Sequence, residues 1–199
     1  MLDKSLPYVL ILMRLPKERL AQLPPVKLPE GYSMTTYQEG RMNDWAKVQT
    51  SVLEFPNEDK AKAYFAKEFM PREKELPNRM CFILDPNGEP VADATAWSDK
   101  GFNWLHWVAT RPTHQGMGIG KAVVLAALSR FPAMGCEDDV YLYTQTWSHT
   151  AVGMYSRVGF RMQSVDPSTG KELPLQRALE MLSWRLPPEQ MQKLKDEAE

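Results

Sequence analysis

Three glycines at alternate positions, Gly116, Gly118 and Gly120, stand between an apolar run and a helical pattern in HWVATRPTHQGMGIGKAVV, residues 106 to 124. Glycine at that density costs backbone entropy, so the fold must need bare backbone there. A strand ending near Thr110 and a helix starting near Gly118 leave the first N–H groups of the helix unpaired, with a partial positive charge on them. Glycines let those N–H groups approach an anion with no Cβ in the way. An anion cradle is therefore expected over residues 115 to 121.

Other glycine-rich loops fit less well. A P-loop needs a hydroxyl residue after Gly-Lys, and here Ala122 follows Lys121. A dinucleotide fingerprint needs Gly-x-Gly-x-x-Gly, and the third glycine comes one residue early. A plain turn accounts for one or two of the glycines, but not for three in alternation ahead of a helix.

The surrounding pattern gives the cradle its setting. GYSMTTYQ (31–38) reads as a strand, and Met42, Trp45, Val48, Val52 and Phe55 fall at helical spacing up to Pro56. Asn57 is an expected N-cap for a second helix with Ala61, Tyr64, Phe65 and Phe69 on one face. MCFIL and PVADATAW flank the turn sequence DPNGE, which reads as a hairpin. FNWLHWVAT, DVYLYTQTW, GFRMQSV and ALEMLSWRL read as further strands, and PPEQMQKLKDEAE as a charged, exposed tail helix. Strands and helices in this order predict an α/β or α+β domain in three layers.

The chain has 199 residues with apolar content of 43%, enough for one cored domain. Residues 1–30, cut by prolines 7, 16, 24, 25 and 29, read as an arm packed on a domain spanning 31–186, with a tail at 187–199. PYVLILM (7–13) is too short to span a bilayer and lacks a cleavage site; it reads as a buried strand or part of the arm. The formal net charge of −1 predicts neither nucleic acid nor a membrane surface as partner. Cys81 and Cys136 are far apart and outside any Cys-x-x-Cys, so neither a disulfide framework nor a zinc site is expected, and a reducing cytoplasm is the simplest setting. No two histidines are spaced as a metal site.

About thirty residues beyond the glycines lies SHTAVGMYSRVGF, where Ser148 reads as an N-cap, Ala151 and Tyr155 share a helix face, and Gly159 ends the helix. RPTHQGMGIGKAVV and AVGMYSRVGF together resemble the two acyl-CoA-binding motifs of the GNAT superfamily, the GCN5-related N-acetyltransferases. The first matches Gln/Arg-x-x-Gly-x-Gly/Ala at Gln115, Gly118 and Gly120. The second matches Asn-x-x-Ala-x-x-x-Tyr-x-x-x-Gly-Phe, with Ser148 where asparagine is usual. The close match spans 103–162, and the element order extends it more weakly over 31–185.

The resemblance implies a mixed, mostly antiparallel sheet splayed at two central strands, helices on both faces, and acetyl-CoA in the splay. It implies that the backbone of Val108, Ala109 and Thr110 pairs with the pantetheine arm. It places the pyrophosphate over Gln115, Gly116, Met117, Gly118, Ile119, Gly120 and Lys121, with Ser148 and Ala151 also on the cofactor. Lys121 reads equally as added charge or as a solvated helix residue. Tyr155 matches the family tyrosine beside the sulfur, as general acid or as packing. His106, on the strand before the loop, reads as a general base, or as a histidine satisfied by backbone. The early helices are expected to roof the acceptor, bringing in Trp45 and Phe55 with Tyr64, beside Trp97, Trp104 and Trp147 from strands. Asp93 and Glu54 read as contacts for a cationic acceptor or as solvent-facing.

The implied activity is transfer of an acetyl group from acetyl-CoA to a small-molecule amine, without a metal. A non-catalytic acyl-CoA-binding regulator and a peptide or protein acetyltransferase are the alternatives. A homodimer is compatible with the resemblance.

Overall fold

The structure is a computed structural model and describes residues 2–199. In chain order its main elements are β1 Leu10–Leu15, β2 Ser33–Thr36, α1 Met42–Ser51, α2 Glu58–Glu68, β3 Met80–Leu84, β4 Pro90–Asp99 and β5 Phe102–Thr110. There follow α3 Ile119–Leu128, β6 Val140–Gln145, α4 His149–Val158, β7 Arg161–Met162, α5 Leu175–Ser183 and α6 Pro188–Asp196. The strands form one sheet ordered β2-β3-β4-β5-β6-β1-β7. It is mixed and mostly antiparallel. β5 and β6 run parallel, with Asn103 opposite Val140 and Trp104 opposite Tyr141.

Two compact units divide the chain, and β5 contributes to both. The first comprises Pro24–Trp97 and Leu105–Cys136. Here β2, β3 and β4 form an antiparallel meander. Its hairpin is closed by Asp85, whose carboxylate accepts the N–H groups of Asn87 and Glu89 at 2.9 Å each. Gly88 takes the left-handed conformation that the turn needs. Trp45 and Ala46 of α1 and Ala61 and Phe65 of α2 pack with Phe69, Leu76, Met80 and Phe82 into an aromatic-rich core. The Asn57 side chain caps α2, accepting the Lys60 N–H at 3.0 Å, as its sequence position predicts. Ala122 through Leu128 of α3 are all buried, as for a helix enclosed on every side.

The second unit comprises Leu2–Leu23, Ser98–Trp104 and Glu137–Glu199. β1 lies between β6 and β7 and pairs antiparallel with both. Ile11, Met13 and Leu15 alternate along β1 and are buried, as are Val140 and Leu142 of β6. Gly159, at φ +118, ends α4. A Cβ at Gly153 would meet the end of the flexible Gln190 side chain from α6, which would have to move aside.

Three readings of the sequence need correction. ALEMLSWRL is not a strand; it forms most of α5, and the buried Ala178, Leu179, Met181 and Leu182 show helical spacing. GFRMQSV pairs as a strand only over Arg161–Met162. The tail is a helix, yet not a wholly exposed one: Met191 and Leu194 are buried, and Glu199 pairs with Arg14 and Arg161. Neither cysteine takes part in a disulfide among the described residues.

Candidate active site

In the first unit the glycine loop is built from the end of β5. The Gln115 side-chain amide donates to the Thr110 carbonyl at 3.0 Å and folds the loop back on the strand. A helical turn at Pro112–His114 precedes it, with the His114 N–H on the Arg111 carbonyl at 2.9 Å. Gly116 and Gly118 are both left-handed, at φ +78 and +82, and a Cβ on either would meet nothing within 4 Å. The loop thus has open space beside a backbone conformation that only glycine adopts without strain. Gly120 has a different role: its Cβ would sit 3.3 Å from Thr110 Oγ1, so the helix start packs closely on the strand end. Gly118 stands at the N-cap of α3, and the first turn of α3 carries no acidic side chain. Its leading N–H groups point outward with partial positive charge. This donor set suits an anion such as a phosphate.

The other loop residues divide by burial. Ile119 is fully buried, so only its backbone can serve a ligand. Lys121 is exposed. Met117 is 46% exposed, with its sulfur 3.9 Å from the Tyr32 hydroxyl. On β5, Ala109 is buried, while Val108, Thr110 and His106 are half-buried.

β5 does not alternate regularly. Trp107 is left-handed at φ +51, a conformation that costs a non-glycine residue about 1–2 kcal/mol. Regular strand alternation would put His106 on one face with Trp104 and Val108; it is broken between His106 and Val108. The sequence gives no sign of this. The Trp107 ring packs against Tyr64 (4.9 Å between centroids), Phe55 (5.3 Å) and Trp45 (5.6 Å). Of the expected acceptor residues here, Trp45 is wholly buried and belongs to the core, whereas Phe55 and Tyr64 are half-buried beside Trp107. Trp97 carries the Arg72 guanidinium 4.3 Å from its ring centre, with Arg79 at 5.5 Å. Asp93 does not face solvent: it is fully buried, and desolvation pushes its carboxyl well above the usual carboxylate range.

In the second unit α4 carries the other motif. Tyr155 is buried, with its ring 5.7 Å from Phe160. Ser148 stands at the N-cap of α4, but its side chain makes no capping bond; its hydroxyl accepts from the Gln145 amide at 3.3 Å. Ala151 is half-buried. Trp104 stacks on Tyr143 at 5.3 Å, and Tyr143 donates to Asp166 at 2.6 Å. Trp147 is not on a strand. It lies in the turn Thr146–Ser148, where its indole N–H donates to the Leu6 carbonyl at 2.7 Å and Tyr8 packs edge-on. Its ring is thus engaged by the N-terminal segment. His149 is half-buried 3.7 Å from Asp3, and burial lowers its pKa.

Among the described residues no group of three or more His, Cys, Asp or Glu side chains is placed to hold a metal ion. Nor is any helix among them long and apolar enough to cross a membrane.

A mixed sheet, a glycine loop after β5 and a second motif helix after β6 are the features to be matched. Residues 42–160 match the model of the acetyltransferase (GNAT) family, and the chain belongs to that family. It is similar to the mycothiol acetyltransferase of Actinosynnema mirum, 30% identical over 155 residues that cover 75% of this chain and 52% of that protein. The mycothiol acetyltransferase of Thermobispora bispora is 26% identical, over 78% of this chain and 55% of its own length. The chain spans about half the length of these curated relatives. Among solved structures, a GCN5-related N-acetyltransferase from Sphaerobacter thermophilus shares the fold with a TM-score of 0.65 at 20% identity, over 79% of this chain and 49% of that one. A tandem GNAT protein from the clavulanic acid biosynthesis pathway gives 0.57 at 16% identity, over 80% of this chain and 51% of that one.

Proposed function

We propose that the chain transfers an acetyl group from acetyl-CoA to a primary amine of a small molecule, by direct attack within a ternary complex. The observation that carries this reading is the loop Gln115–Lys121, where two left-handed glycines open the backbone at the start of an acid-free helix turn. The cofactor supplies a thioester whose carbonyl carbon accepts the amine and whose thiolate departs.

The chain's own residues then have five tasks. The loop N–H groups hold the pyrophosphate, and the backbone of Val108 to Thr110 receives the extended arm as an added strand. The Tyr155 hydroxyl donates a proton to the departing sulfur, since a phenol is protonated at neutral pH. His106 takes the proton that the incoming ammonium must lose, as a neutral imidazole nitrogen can. Phe55, Tyr64 and Trp107 form an aromatic wall for the acceptor's carbon skeleton. Curated relatives named mycothiol acetyltransferase support a small-molecule acceptor over a protein one.

A thermal-shift screen of amines, run with and without CoA, tests the reading, because a ligand raises stability by mass action. CoA alone is expected to raise the Tm, and a subset of amines to raise it further only with CoA present. A Tm indifferent to CoA at millimolar concentration contradicts the proposal.

A further inference from the structure

Gln49, on α1, makes two hydrogen bonds through one amide nitrogen. It donates to Asp93 Oδ2 of β4 at 2.8 Å and to the Trp107 carbonyl of β5 at 3.0 Å. Gln49 is 1% exposed and Asp93 is fully buried between Ala92 and Ala94, themselves fully buried. The second carboxyl oxygen of Asp93, Oδ1, has no hydrogen-bond partner. A buried polar atom left unpaired is costly and is rarely retained without a use. The residue that the bridge reaches is one of three described non-glycine residues with a left-handed backbone, Trp107 at φ +51. α1 also grips that residue a second time. Trp45 lies one turn before Gln49, on the same helix face, and packs against the Trp107 ring at 5.6 Å.

From these contacts we infer that Gln49 and Asp93 form a buried lock that holds Trp107 in its left-handed conformation, and that both are positioning residues for β5. The amide nitrogen carries two hydrogens, and the lock uses both: one fixes the peptide after Trp107, the other ties Gln49 to the sheet through Asp93. Fixing that peptide sets the direction in which β5 continues, and so the exposure of the Val108 to Thr110 backbone. It also turns the Trp107 side chain out of the strand's alternation and into the aromatic group of Phe55 and Tyr64. Asp93 acts in this lock as a neutral acceptor, not as a charge. The functional half of the inference rests on the reading that Val108 to Thr110 receive the pantetheine arm; the lock itself does not.

The protein contains six tryptophans. Labelled with 5-fluorotryptophan, it should give a fluorine resonance for Trp107, assigned by its loss in Trp107→Phe. Gln49→Leu is expected to move that resonance in the ligand-free protein and to weaken CoA binding, measured by calorimetry, by about tenfold (roughly 1.4 kcal/mol). Asp93→Asn is expected to leave both within about twofold of the parent, because the amide oxygen accepts the same bond. Asp93→Leu, which lacks an acceptor, is expected to behave like Gln49→Leu. Should Gln49→Leu fail to fold, Gln49→Asn withdraws the amide by one methylene and is expected to move the same resonance. An unmoved Trp107 resonance in a folded Gln49 variant overturns the lock. Asp93→Asn as damaging as Asp93→Leu overturns the neutral-acceptor role. A moved resonance with unchanged CoA affinity overturns the link to the pantetheine arm. If the parent protein binds no CoA, the proposed function fails while the resonance still decides the lock.

Discussion

At the residue scale, the two positions with the sharpest chemistry sit in contrasting surroundings. Tyr155 is buried on α4 and His106 half-buried on β5. If Tyr155 supplies the proton to the leaving sulfur, Tyr155→Phe removes a general acid while keeping the ring. Turnover should then fall by about 10²-fold or more, with CoA affinity by calorimetry held within a few-fold of the parent. Equal turnover would leave the tyrosine as packing only. Asp93 gives a second prediction, on stability. Its carboxyl is raised in the folded protein by burial, opposed by the single bond from Gln49. In the unfolded chain it ionises near its ordinary value of 3.8. A raised group contributes stability fully below the unfolded value, and that contribution is lost as pH rises toward the folded one. Asp93→Asn does not titrate. Its Tm relative to the parent should therefore increase as pH is taken upward from about 4; a difference constant between pH 4 and 8 would show that Asp93 is not held neutral.

At the scale of elements, the glycine loop joins two kinds of constraint that look alike in sequence. Gly116 and Gly118 take a left-handed φ, whereas Gly120 marks a close approach to the Thr110 side chain, at 3.3 Å from where its Cβ would sit. Gly118→Ala adds no clash but forces a left-handed alanine, at a cost of about 1–2 kcal/mol. Chemical denaturation should show that loss, and calorimetry a weaker CoA affinity. A substitution without effect on either would mean that the loop conformation is not needed. The loop was legible because its requirement is local: alternating glycines between a strand and a helix announce themselves. The second motif was legible for the same reason, with Gly159 ending α4 as its position implies. The Trp107 irregularity was not legible. Its causes, Gln49 and Asp93, lie 58 and 14 residues earlier in the chain, and no local signal marks a tryptophan that a distant amide holds left-handed. Likewise α5 hid as a strand because SWRL, which runs past its end at Ser183, alternates, although Ala178, Leu179, Met181 and Leu182 already fall at helical spacing.

At the scale of the whole molecule, the order of motifs identified the family while the sheet's far edge escaped it. Nothing in PYVLILM says that β1 inserts between β6 and β7, since strand neighbours are set by pairing across the whole chain. The same limit applies to the acceptor wall: aromatic residues at helical spacing gave Phe55 and Tyr64, but Trp107 joins them only through the fold. The chain spans about half the length of its curated relatives, so the activity is to be measured on this chain itself. The most direct measurement follows the release of free CoA thiol from acetyl-CoA against a panel of small-molecule amines, with the acetylated product confirmed by mass. The account predicts amine-dependent release that saturates in both substrates and is lost in Tyr155→Phe. Tight binding of acetyl-CoA with no amine-dependent release across the panel would contradict it and leave an acyl-CoA-binding protein without transfer.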